Sequence, residues 1–100
     1  MTLKGRVALV TGARRGIGKA IASAFAREKV HLVLNDICPK DELAEVAEEI
    51  SAGGIQIVAV QADVSQYGQV QKMIAQVEQA FHRLDILVNN AGIIRRGTIE

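Results

Sequence analysis

Three glycines stand close together in Thr11-Gly12-Ala13-Arg14-Arg15-Gly16-Ile17-Gly18, directly after the apolar run Val7–Val10 and at the start of a helical pattern. Their positions suit phosphate binding. Gly12 lets the chain reverse through dihedrals that a Cβ penalises. Gly16 removes side-chain bulk where a backbone would approach a pyrophosphate. Gly18 lets the helix close onto the strand. The first N–H groups of a helix lack internal acceptors, and the helix dipole adds partial positive charge there, so an anion is favoured. Strand, glycine turn and helix N-terminus together form the layout of a dinucleotide-binding turn. The spacing is G-x-x-x-G-x-G, not G-x-G-x-x-G.

Asp36 is the next informative residue. It closes a second apolar run about twenty residues beyond the loop, where a carboxylate can accept from the adenosine ribose hydroxyls. It would also repel a 2′-phosphate, by about 4 kcal/mol at about 4 Å and an effective dielectric of about 20, before screening. Arg14 and Arg15 argue the other way, since a guanidinium near the ribose is how such sites accept a 2′-phosphate. Exposed arginines can move aside, whereas Asp36 keeps its charge near pH 7. The reading is therefore NAD, with NADP as the alternative the arginines leave open. Ile17 and Ile37, beside Gly16 and Asp36, join the candidate cofactor-binding set.

The elements that must hold these residues follow from periodicity. Val7–Val10 reads as a first strand. Ile17, Ala20, Ile21, Ala24 and Phe25 recur at helical spacing and predict one buried face. Val30–Leu34 reads as the second strand, ended by Asn35-Asp36. Pro39 starts the next helix, with Leu43, Val46, Ala47 and Ile50 on its inner face and Gly53-Gly54 after it. Ile55–Val60 is the third strand. Ser65 reads as the N-cap of a helix burying Val70, Met73, Ile74, Val77 and Phe81. Leu84–Val88 is the fourth strand. The order β-α-β-α-β-α-β, with strands apolar throughout, predicts an α/β fold: a Rossmann-type doubly wound parallel sheet with strand order 3-2-1-4.

The loop resembles the T-G-x-x-x-G-[IL]-G fingerprint of the short-chain dehydrogenase/reductase superfamily. Asn89-Asn90-Ala91-Gly92 resembles that family's N-N-A-G motif, in the right order and at about the right separation. The resemblance covers the whole chain but only the cofactor half of a typical member, so residues 1–100 are expected to be the dinucleotide-binding portion of a single domain, incomplete at its C-terminus. It implies that Asp63-Val64 lies against the adenine, Asn90 near the adenosine ribose, and Ala91 and Gly92 beside the pyrophosphate side. Asn89 would tie loops together. It also implies hydride exchange between nicotinamide and a secondary alcohol or ketone, with 3-oxoacyl-carrier-protein reductases and sugar-acid dehydrogenases as the nearest types. A homo-oligomer, dimer or tetramer, is implied for the full-length form.

Composition sets the limits. The 100 residues suit one domain, burying roughly two thirds of the unfolded surface. With 49% hydrophobic and 23% charged residues and a net charge of +1, neither nucleic acid nor an anionic membrane is indicated as a partner. No apolar run is long enough to span a membrane. Cys38, the single cysteine, has no internal disulfide partner, and no signal segment is read at the N-terminus, so a cytoplasmic setting is expected.

No catalytic residue can be placed. The family's Tyr-x-x-x-Lys pair has no match, because Tyr67 is the only tyrosine and Gln71 stands four residues on. His31 and His82 belong to no metal-ligand cluster. Two function classes remain: an oxidoreductase whose cofactor portion is this chain, and a dinucleotide-binding module without catalysis. A flavodoxin-like regulatory domain would have no reason to hold both motifs.

Overall fold

The computed structural model describes residues 3–90. Four strands, β1 (Val7–Val10), β2 (His31–Asp36), β3 (Ile57–Gln61) and β4 (Ile86–Val88), form one sheet in the order β3-β2-β1-β4. All the pairings are parallel: Val7 faces His31 and Val10 faces Leu34, while Val10 faces Val88 on the other side. Between the strands run α1 (Gly16–Arg27), α2 (Lys40–Ile50) and α3 (Tyr67–Phe81). The alternation and strand order predicted from sequence are those observed.

Successive side chains of a strand point to opposite faces. Ala8, Val10, Leu32 and Leu34 point to one face and meet Ala22, Ala26, Leu43 and Val46 of α1 and α2. Leu9 and Val33 point to the other, where Val60, Ala62 and the α3 residues Met73 and Val77 join them. Cover on both faces explains why β1 and β2 are apolar without alternation.

Several boundaries and faces differ from expectation. α1 buries Gly18, Ala22 and Ala26, with Ile21 and Phe25 half-buried, while Ile17 is 71% exposed and Ala20 and Ala24 face solvent. Ranking positions by hydrophobicity misses this, because a helix lying close to a backbone puts its smallest residues on the contact line. β2 continues through Asn35 to Asp36, pairing Asn35 with Val60 and Asp36 with Gln61. Ser65 is not the cap of α3. Gln66 holds that position, and Ser65 turns back on Asp63 instead. Ile74 stays 41% exposed on α3. His82 ends that helix as a left-handed residue with φ 59°.

Candidate functional site

Each described candidate residue lies at or past the C-terminal end of a strand, or on the loop and helix that follow. From β1 the chain moves outward to β2 and β3 on one side and then crosses back to β4 on the other, so the strand order reverses between β1 and β4. Ligands of open α/β sheets bind at such a switch point. The two motifs meet there. Thr11 N–H donates to the Val88 carbonyl at 3.0 Å, and Thr11 Oγ1 lies 3.3 Å from both that carbonyl and Asn89 Oδ1. Asn90 Nδ2 donates to the Gly12 carbonyl at 3.3 Å. Both asparagines therefore hold the glycine loop, the role expected of Asn89 alone.

Gly18 is the point of closest approach. A Cβ there would stand 2.0 Å from Gly12 O and 3.0 Å from Asn90 Nδ2. The helix thus sits on the loop itself, closer than the strand packing expected. Gly16 is the opposite case: φ is +63°, a conformation that penalises a Cβ, yet nothing lies within 4 Å of where one would be. A side chain at Gly16 would strain the backbone without striking a protein atom.

The α1 N-terminus faces that space with its donors uncommitted. Arg15 occupies the N-cap in extended conformation without a side-chain cap, and no acidic residue stands in the first turn. The loop amides further back are already used: Ala13 N–H donates to Asn35 O at 2.9 Å and Arg14 N–H to Asp36 Oδ2 at 3.1 Å. The amides of Gly16, Ile17 and Gly18 remain for an external acceptor, and the helix dipole favours an anionic one.

Asp36 is fixed by two backbone amides. Oδ2 accepts from Arg14 and Oδ1 from Ile37, the latter at 2.7 Å. A carboxylate has about four lone-pair sites, so both oxygens can still accept hydroxyls. Ile37 itself is 65% exposed. The Arg14 guanidinium turns away and pairs with Glu42 on the first turn of α2, while Arg15 makes no ion pair among the described residues. Cys38 lies in this charge cluster. Burial first, then the Asp36 and Glu42 charges, push its thiol up, so it stays protonated at neutral pH.

Asp63 follows β3 and folds onto its own turn: Oδ1 accepts from Ser65 N–H at 3.0 Å and Ser65 Oγ at 2.7 Å. These bonds hold its carboxyl below the usual carboxylate range. Gln69 Oε1 accepts the Asp63 amide at 2.7 Å. Val64 is half-buried and lines a cavity of about 160 Å³ with Thr11, Leu87 and Asn89. Ala91, Gly92, Ile93, Arg95 and Arg96 lie outside the described residues.

Sequence reasoning missed Asn35 and Glu42. Asn35 is 1% exposed, and its Nδ2 clips β3 through the carbonyls of Val60 and Ala62 at 3.1 and 3.2 Å. An amide next to Asp36 in an apolar run was the available signal. Glu42 looked like an ordinary first-turn acid suited to the helix dipole. Among the described residues no cluster of His, Cys, Asp and Glu could hold a metal, and no helix is long and apolar enough to cross a membrane.

A family model for short chain dehydrogenases matches residues 6–100. The chain belongs to the short-chain dehydrogenase family. A 3-oxoacyl-[acyl-carrier-protein] reductase of Staphylococcus epidermidis is 46% identical over 88 residues, which is 88% of this chain and 36% of that protein. Among solved structures, an L-sorbose reductase from Gluconobacter frateurii, complexed with NADPH and L-sorbose, superposes with TM-score 0.84 at 40% identity, covering 92% of this chain and 35% of that one. A short-chain dehydrogenase/reductase from Burkholderia phymatum in complex with NAD gives TM-score 0.78 at 33% identity, covering 87% and 31%. The chain thus spans 35–40% of the length of these curated relatives. Of these two solved structures, one holds NAD and the other NADPH.

Proposed function

We propose that this chain is the dinucleotide-binding portion of a single-domain oxidoreductase, and that it holds the adenosine and pyrophosphate of its cofactor. The observation that carries this reading is the uncapped α1 N-terminus facing the open space at Gly16. Pyrophosphate oxygens would accept from the amides of Gly16, Ile17 and Gly18, with Gly12, Ala91 and Gly92 lining the approach. Asp36 and Ile37 would flank the adenosine ribose with Asn90, and Asp63 and Val64 the adenine. The nicotinamide, when bound, supplies the carbon that gives or takes the hydride.

NAD is the preferred form in this reading. Asp36 is anchored by the Arg14 amide and, against the ribose, would repel a 2′-phosphate, and one of the two candidate counter-charges, Arg14, is committed to Glu42. The substrate class is a secondary alcohol or ketone, either a 3-oxoacyl thioester or a sugar acid. The name of the reductase relative supports the first, and the sorbose-bound structure supports a sugar ketone. A cytoplasmic homo-oligomer is the expected setting.

The test is a substrate panel of 3-oxoacyl thioesters, sugar acids and ketoses with NADH, NAD and NADPH, run on the full-length protein and its Asp36→Ala variant. Turnover with one class, favouring NAD in the wild type and shifting toward NADP in the variant, is expected. Cofactor binding without turnover on any substrate favours the module reading. An unchanged cofactor preference in Asp36→Ala removes Asp36 from the ribose.

A further inference from the structure

Arg14 is held at both ends by carboxylates. Its amide donates to Asp36 Oδ2 at 3.1 Å, and its guanidinium Nε pairs with Glu42 Oε1. The two carboxylates belong to different elements, the end of β2 and the first turn of α2, so the side chain is drawn across the mouth of an open groove of about 400 Å³. The groove is lined by Arg14, Arg15 and Lys19 on one wall and by Glu42, Glu45 and Glu49 on the other. Lys19 is paired too, with Glu49 at 2.7 Å. Arg15 alone of the three cations has no ion-pair partner among the described residues.

We propose that Glu42 is a positioning residue for cofactor preference: by holding Arg14 against α2, it withholds from a 2′-phosphate the guanidinium of the residue whose amide Asp36 holds. This inference rests on the ribose placement proposed above. Discrimination against NADP then has two sources. Asp36 repels the phosphate directly, and Glu42 acts through Arg14. A ribose carrying only hydroxyls needs neither cation, so Glu42 leaves NAD binding untouched. The pair is half-exposed, and an exposed pair is weak and screened by salt. Its effect is therefore modest and depends on ionic strength.

Dissociation constants for NADH and NADPH, measured by fluorescence on the full-length protein, test this. Glu42→Gln should tighten NADPH about five-fold and leave NADH within about two-fold, with the gain shrinking in high salt. The gain should vanish in Glu42→Gln/Arg14→Gln. Glu45→Gln, which removes a charge from the same groove without touching Arg14, should leave the ratio unchanged. An equal gain in the double variant or in Glu45→Gln would show a bulk charge effect and overturn the role of Glu42. No gain in Glu42→Gln, while Asp36→Ala still shifts the preference, would overturn it and leave the ribose placement standing. No shift in either variant would bring down both.

Discussion

The two faces of the sheet are covered unequally. On the α1 and α2 face, Leu32, Leu34 and Leu43 are fully buried, and the half-buried Ile21, Phe25 and Ile86 seal the margin. On the α3 face, Met73 and Val77 are buried, but Leu87 is 59% and Ile74 41% exposed beside an open cavity. The glycine loop, Arg14 and Asp36 stand over the well-covered face. Val64 and Asn89 stand over the sparse one. The proposed phosphate and ribose positions therefore rest on packing found within residues 3–90, while the positions proposed past β3 and β4 have thinner support.

Gly18→Val is the severest way to break the well-covered side. Its Cβ would be driven into the Gly12 carbonyl. A backbone atom cannot step aside as a side chain can, so a loss of about 3 kcal/mol or more is expected, or failure to fold. Urea unfolding measures it. Wild-type stability would mean that the helix and loop are not in contact.

A pair of truncations sharpens the comparison between faces. Leu34→Ala empties a site with no exposure and should cost about 3 kcal/mol. Leu87→Ala, at a site 59% exposed, should cost less than about 0.5 kcal/mol. Equal costs by denaturant midpoint would show that β4 is covered as well as β2.

The smallest expected effect lies at the opposite end of the sheet from the site. Asp85 Oδ2 accepts from Val7 N–H at 2.8 Å, and Arg83 holds both carboxylate oxygens at 2.9 Å. The Arg83 hydrogen bonds first, then the Val7 amide, hold the Asp85 carboxyl below the usual carboxylate range. A folded value below the unfolded one of about 4 gives stability that is present above about pH 4 and lost as pH falls through the folded value. Thermal midpoints of Asp85→Asn should accordingly fall less than those of wild type on acidification below about pH 4. Parallel curves would contradict the assignment.

The strands and the glycine loop were legible because each depends on residues close in sequence, namely an apolar run, a turn and a helix start, and the strand order followed from their alternation. The α1 face was misread because backbone proximity, not apolar area, decides which residues meet the loop. The asparagines show the same limit. Their residue types mark a motif, but that Asn90 grips Gly12, and Asn35 the end of β3, follows only once β4 and β3 lie beside their neighbours. The Arg14–Glu42 pair joins residues on two elements, and no periodicity reports it.

The central claim is that a pyrophosphate lies against the α1 N-terminus at Gly16. Titration of NADH into the full-length Gly16→Val protein, with its fold checked by circular dichroism, tests this most directly. The left-handed φ of +63° makes the variant strained, but open space means that its side chain strikes no protein atom of the present loop. The account predicts a folded protein that has lost NADH binding. A folded Gly16→Val protein that binds NADH with wild-type affinity would contradict it.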